Sequence, residues 1–477
     1  MFDTGYYHYP AVKFISEFGI ETGMGSFFRG YGVYNLQFFG QLPFHNIFSD
    51  LGYMSPSINI IFLATYIWFF ISEYLTFKNK KEIFYLNIPY KNIVILYFLI
   101  SCLFCSSSFI SNIASYSAHI PIFISGSISF YIIFSSTILG KRYFNLIAII
   151  LLTIFAPLLK TSAITICLLN TAYLIFYNIK IQKNIKSINN FFKEIFYSST
   201  KYFRNLKLPF FLIVIIAISY TAAIITNIVQ TGYIIFPSSI TGPIGDHAVD
   251  PSQISSIKDS ILGWHRYPRD LVNVIPSNNF LKWFPYFIKS RNGIIATIYW
   301  IAPSLISLLL NFLNKQKISK SEKDESNTIK LSDHVCLISI FALLNLIFLI
   351  PAPSYTPWLT PVIIFLSLLS YFAFFNYNLQ ILKFRKYPLY FIFSILIIGS
   401  LKFSYSNQVI LKNLFKVQFI TNFPDLEYKI INYKPIRWSP LNKYQDETID
   451  INVSESNQCW NIPAPCITKG NYETFLK

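Results

Sequence analysis

Apolar residues in this chain come in long, nearly unbroken runs, with polar and charged residues gathered in the stretches between them. A helix rising about 1.5 Å per residue needs about 20 residues to cross the hydrocarbon core of a bilayer. Runs at 57–75, 92–113, 120–139, 209–229, 292–313, 332–350, 357–375 and 388–403 reach or approach that length. Two shorter runs, 144–159 and 162–177, are nearly continuous, and read either as two tight spans or as one broken, re-entrant pair. The pattern predicts an all-α polytopic membrane protein, a bundle of about ten transmembrane helices.

Charge patterning supplies an independent test, because short cytoplasmic loops collect Lys and Arg. Lys78, Lys80, Lys81 and Lys91, then Lys141 and Arg142, then the Lys-rich stretch 180–207 fall on one face of the predicted bundle. The segment from Lys315 to Lys330 and the group Lys383, Arg385 and Lys386 join them, which makes that face cytoplasmic. The opposite face receives an N-terminal segment, 1–56, a large loop, 230–291, and a C-terminal tail, 404–477, with the bundle occupying 57–403. Short turns near His119, Lys160 and Pro353 reach the same outer face. No basic stretch followed by an apolar core and a small-residue cleavage site opens the chain, so insertion is expected to rely on the spans. The chain begins abruptly inside an acidic motif, and a further span upstream of it is a live expectation.

Composition agrees with this picture. The residues are 53% hydrophobic and 18% aromatic but only 13% charged, about half the charged share of a soluble domain. A formal charge of +17 would suggest nucleic acid in a soluble protein, yet most of it lies in short loops, so it belongs to topology and no nucleic-acid partner is expected. A Gly-x-x-x-x-Gly-Lys-Ser/Thr phosphate loop is missing from the sequence, which argues against ATP-driven transport.

A few polar residues break the pattern in ways that suggest chemistry. Asp3, in Asp3-Thr4-Gly5-Tyr6-Tyr7-His8, would be an acid at the outer membrane surface, able to take a proton from an incoming hydroxyl; equally, it would serve as a turn residue beside Gly5. His8 could hold that acid, bind a phosphate or ligate a metal, or be an exposed interfacial histidine. Lys160 interrupts an apolar stretch, where a cation is costly unless paired or near the interface. It would stabilise a phosphate leaving group or snorkel to the membrane surface. Arg266, within Trp264-His265-Arg266-Tyr267-Pro268-Arg269-Asp270, offers a clamp for sugar or phosphate, or an ordered loop. Cys459 and Cys466 flank six residues in the outward tail, where an oxidising compartment permits a disulfide. Such a small closed loop would restrict the unfolded tail by about 2 to 3 kcal/mol. The absence of an Asp-x-Asp pair at the outer surface predicts no obligatory metal, and no cofactor is expected.

Three segments carry a resemblance. The first is Asp3-Thr4-Gly5-x-Tyr7-His8 with Ala11-Val12-Lys13 and the Gly23-Met24-Gly25 turn. The second is Thr231-Gly232-Tyr233-Ile234-Ile235-Phe236-Pro237, and the third is Gln458-Cys459-Trp460-x-x-Pro463-x-Pro465-Cys466. Together they resemble an uncharacterised bacterial polytopic membrane family related to the GT-C superfamily glycosyltransferases. The chain departs from that pattern at His119, where an acidic residue is expected before Ile120-Pro121, and at Ser354-Tyr355-Thr356, where Asp-Pro-Arg is expected. The resemblance implies a GT-C-like bundle in the bacterial inner membrane, with outward-facing loops and a small disulfide-stapled tail. It also implies a sugar donor linked to polyprenyl phosphate, a glycan, lipid or protein acceptor, and Asp3 as general base or acceptor-positioning residue. Lys160, Arg266 and His8 would contact substrate. The competing expectation is a non-enzymatic flippase or scaffold of surface-polysaccharide assembly, although flippases usually reveal intramembrane charges and these runs hold little Asp or Glu.

Overall fold

The structure is a computed structural model describing residues 8–23, 25, 36–50, 57–78, 84–85, 88–112, 118–139, 144–160, 163–181, 208–266, 280–321, 331–346, 358–378, 428–433, 449–454 and 466–468. Helices dominate, as the apolar runs predict. The N-terminal segment folds into α1 (Tyr9–Phe18) and α2 (Leu36–Asp50), which pack on each other. The body continues with α3 (Asn59–Lys78), α4 (Tyr90–Asn112), α5 (His119–Leu139), α6 (Phe144–Leu159), α7 (Ile164–Ile181) and α8 (Leu208–Thr231). Next come α9 (Pro251–Arg266), α10 (Phe280–Lys289), α11 (Arg291–Ala296), a π-helical turn (Thr297–Ile301), α12 (Ala302–Ser321), α13 (Leu331–Leu344) and α14 (Leu359–Asn378). Every predicted run from 57 to 375 is thus helical over its described residues, while the run 388–403 lies outside the described residues, as does the Lys-rich stretch 182–207.

The pair of short runs forms two helices, α6 and α7, packed against each other. Pro157, near the end of α6, cannot donate to the carbonyl of Thr153. The thiol of Cys167 on α7 donates to that carbonyl instead, at 2.8 Å. Asn170 adds an amide bond to the Thr153 hydroxyl at 2.8 Å, and the Tyr220 hydroxyl of α8 donates to the Ile154 carbonyl at 2.7 Å. A proline therefore opens acceptors on α6 that its neighbours fill. Pro303 acts similarly, withdrawing the N–H that would serve Tyr299, and the backbone widens over Thr297–Ile301.

The core lies where α3, α4, α5, α12, α13 and α14 meet. Phe70, Tyr97, Phe130, Tyr131 and Phe365 make tilted and edge-on ring contacts there. Such pairs contribute about 0.5 to 1.5 kcal/mol each beyond area burial. Buried hydroxyls are placed where they can pair: Tyr66 and Tyr97 both reach the Ser127 hydroxyl at 2.9 Å, and Tyr131 donates to the Glu73 carboxylate at 3.0 Å. Small residues permit close approach, since a Cβ added at Gly126 would stand 2.5 Å from the indole of Trp358.

Among the described residues, two helices are long and apolar enough to cross a membrane, Asn59–Lys78 and the part Val214–Thr231 of α8. Their large apolar side chains point outward from the bundle, among them Trp68 at 68% and Ile218 at 63% exposure. The tail adds structure that the sequence reading had not assigned. Its strands β3 (Tyr428–Tyr433), β4 (Ile449–Ser454) and β5 (Cys466–Thr468) follow the pair β1 (Phe84–Tyr85) and β2 (Ile88–Pro89) in chain order and form one sheet. Strand β4 pairs antiparallel with β3 and parallel with β5.

Candidate functional site

The N-terminal segment supplies the first side chains. His8 stands immediately before α1, whose first turn is set by Pro10, a residue well suited to that position because the first N–H groups of a helix have no partner within it. The His8 ring is buried and meets Phe38 of α2 at 5.7 Å. Its neighbour Tyr9 meets His45 edge-on at 5.4 Å, and Ser16 donates to Asn46 at 2.6 Å. Helix α2 is tied in turn to the start of α3. Gln37 donates to Asn59 at 2.8 Å, and the Ile58 N–H donates to the Gln41 side chain at 2.9 Å. Helix α2 also contacts α6, which ends at Lys160.

Lys160 and His119 come to this place from consecutive helices. Lys160 follows α6 and keeps a backbone bond to Ala156 at 3.4 Å, while its own carbonyl accepts from Ala163 at 2.9 Å. A cation there complements the negative end of the α6 dipole. His119 opens α5, just ahead of the predicted span 120–139. The positive charge of Lys160, and then burial, push His119 down to about 3. Burial, then Lys160, then His119, hold His8 well below the ordinary histidine range. Near neutral pH both imidazoles are therefore uncharged, and Lys160 lies close enough for its charge to act on each. A cation in this position attracts an anion, which can pair with it by a charge-assisted hydrogen bond.

A second polar group lies behind it. Burial and the charge of Lys13 lower His45 to about 4. Burial lowers Lys13 itself, partly offset by Glu17 one turn along α1, and Glu17 is raised by the same burial.

The structure thus brings His8 and Lys160 together and adds His119, which the sequence reading treated only as a departure from a pattern. The signal was available, because His119 precedes one apolar run and Lys160 follows the next. Arg266 ends α9, and its side chain lies outside the described residues. Asp3 is also outside them, five residues before His8, a separation that spans at most about 18 Å of chain. Cys459 lies outside as well. Cys466 begins β5, in register with Asn452 of β4; the proposed pairing of the two cysteines falls outside the described residues.

Two of the three segments that carried the resemblance meet in space. The Gly23 N–H donates to Val229 at the end of α8 at 2.9 Å. A Cβ on Gly25 would stand 2.7 Å from the Thr231 methyl and 3.2 Å from the Gln230 carbonyl. The chain then turns at Gly232, whose φ of 72° favours glycine, and Tyr233 is buried with its hydroxyl on the Val249 carbonyl at 3.1 Å. His247 Nε2 donates to the Ile228 carbonyl at 2.8 Å. Asp250 closes the loop by accepting from the Ser252 N–H at 2.7 Å, an N-cap that starts α9 and that, with the Ser252 hydroxyl, holds its carboxyl below the usual range.

These features define a helical protein with a basic, partly buried site beside its N-terminal segment. The chain belongs to the family described as a domain of unknown function (DUF8201), which it matches over residues 1–193 and 191–356. That match includes His8, His119, Lys160 and the 230–291 loop, and ends before the tail sheet. No curated protein matches the chain, and no solved structure does.

Proposed function

We propose that this protein is a GT-C-like glycosyltransferase of the bacterial inner membrane, moving a sugar from a polyprenyl-phosphate carrier to a glycan, lipid or protein acceptor. In this reading the helices cross the bilayer repeatedly, with residues 1–56, the loop 230–291 and the tail on the outer side. The outward apolar faces of α3 and α8 support membrane insertion, because exposed apolar surface on that scale is unfavourable in water. The Lys and Arg distribution supports the orientation. The observation that carries the chemistry is the meeting of Lys160, His8 and His119 a few residues from the N-terminal acidic motif.

The acceptor hydroxyl attacks the anomeric carbon and the bond from that carbon to the carrier phosphate oxygen breaks. The hydroxyl proton passes to the Asp3 carboxylate, and the lipid phosphate leaves with its new negative charge. Lys160 stabilises that charge, which grows toward the transition state. His8 and His119 donate hydrogen bonds to phosphate oxygens, and Arg266 joins them from the loop. No metal or other cofactor is required in this scheme.

The test measures transfer from radiolabelled polyprenyl-phosphate sugars to membrane acceptors by wild type, Asp3→Asn and Lys160→Ala proteins of verified fold. Asp3→Asn is expected to slow transfer by about 10²- to 10⁴-fold, and Lys160→Ala by about 10²- to 10³-fold. Undiminished transfer by Asp3→Asn removes that residue from the mechanism. Absence of transfer by wild type, with carrier-linked glycan accumulating on the cytoplasmic face of a deletion strain, replaces the enzyme with a flippase.

A further inference from the structure

Helix α10 has three distinct faces. Trp283 and Phe287 are buried, and Trp283 makes edge contacts with Phe280 and Phe284. Leu281, Pro285 and Ile288 form a second, exposed row, with Leu281 at 78% exposure. Beside it runs a third row, Lys282, Tyr286 and Lys289, likewise exposed. These rows follow the i, i+4, i+7 spacing of one helix face. The helix contains no acidic residue.

The connection to the following helix is built as a fixed corner. Ser290 is extended, with ψ of 158°, and caps α11 by accepting from the Gly293 N–H at 3.0 Å. Its hydroxyl donates back to the Phe287 carbonyl at 2.6 Å. A Cβ at Gly293 would collide with that carbonyl, so the first turn of α11 lies directly on the last turn of α10. Beyond the corner, α11, the π-turn and α12 run on continuously. The outward side of α12 is apolar, with Leu309 at 58% and Phe312 at 75% exposure. Exposed apolar residues thus lie on both sides of the corner, and those of α10 run beside two lysines and a tyrosine.

We propose that α10 lies in the outer membrane–water interface as a lipid-binding elbow. Leu281, Pro285 and Ile288 enter the acyl boundary, and Lys282 and Lys289 bind the phosphates of anionic phospholipids. The composition fits that occupant: an apolar row needs the acyl region, adjacent cations need anionic headgroups, and tyrosine favours the boundary between them. The inference rests on the reading of α12 as a membrane span. Its consequence is mechanical, since α10 adjoins α9 and so fixes the depth of the outer loop against the bilayer surface where a lipid-linked substrate would arrive.

The test uses the full chain in vesicles of mixed phosphatidylcholine and phosphatidylglycerol, with a photoreactive phenylalanine analogue placed singly at Leu281, Ile288 or Phe312. Lipid adducts are expected at all three positions. Exchanging both lysines (Lys282→Glu with Lys289→Glu) is expected to lower the phosphatidylglycerol share of the Ile288 adducts several-fold while leaving the Phe312 adducts unchanged. Lipid adducts at Phe312 with none at Leu281 or Ile288 overturn the elbow and leave the membrane reading intact, as do cross-links from those two positions to a second copy. An unchanged phosphatidylglycerol share overturns the lysine assignment. Absence of lipid adducts at Phe312 overturns the membrane span itself, and the elbow with it.

Discussion

The ammonium of Lys160 governs its neighbours, keeping His119 down to about 3 and helping burial to hold His8 low. A bound phosphate would offset that field, so both histidines would bind protons more readily in the complex than in the free protein. Proton uptake on binding means that affinity for a lipid monophosphate rises as pH falls. Titrating a short-chain prenyl phosphate from about pH 8 to about pH 6 checks this, and replacing both His8 and His119 by Gln should remove the protein's share of the slope. Lys160→Ala should weaken binding at least about tenfold, as expected for one charge-assisted hydrogen bond.

His45 makes a separate prediction about stability. Its folded value of about 4 lies below the ordinary 6.5, so the unfolded segment binds more protons than the folded one between those limits. Stability is therefore fully present above about pH 6.5 and is lost as pH falls toward 4. Hydrogen exchange of α1 and α2 should accelerate across that window, and His45→Gln should flatten the response. Unchanged exchange in the wild type would show that the contact with Tyr9 and the proximity of Lys13 have no bearing on the segment's stability.

Elements are held together at places where one residue gives way to another. Gly126 of α5 admits the Trp358 indole that precedes α14. Gly126→Ala should cost about 1 to 3 kcal/mol by overpacking, read as a lower thermal midpoint in detergent. Trp358→Leu should recover part of that loss in the double variant, because contacting residues couple. Gly25 likewise lets the N-terminal segment rest on Thr231 and Gln230. Gly25→Val should detach it, and limited proteolysis between α1 and α2 would report the release without any need for a substrate. Pro157 and Pro303 show the complementary device, a missing donor whose vacated acceptor is taken by a neighbouring helix or absorbed by a wider turn. The helices of the predicted bundle were legible in the sequence because each rests on its own apolar run, whereas α1, α2, α9 and α10 rest on none. The boundary between α6 and α7 was not legible, since the distinction between one bent element and two depends on Cys167, Asn170 and Tyr220 reaching the same stretch of backbone.

For the whole molecule, the distribution of Lys and Arg makes a prediction of sidedness. Reporter fusions at Lys193 and Asn457 should read cytoplasmic and external, and a shared location would break the topology. The sequence determined the helical class and the positions of the helices between 57 and 375 that rest on apolar runs, because each follows from local hydrophobic periodicity. It also singled out His8 and Lys160, as polar residues at the edges of apolar stretches. Only the tertiary structure decided that these two meet, that His119 joins them, and that the Gly23–Gly25 turn seats on the loop after α8. It alone revealed the tail sheet and the cornered helix α10, whose rows become distinguishable once Trp283 and Phe287 are seen buried. The physical reason is range: a helix is specified by residues three and four apart, whereas a site depends on side chains 41 to 152 positions apart, as His8, His119 and Lys160 are, brought together by packing that no local pattern encodes.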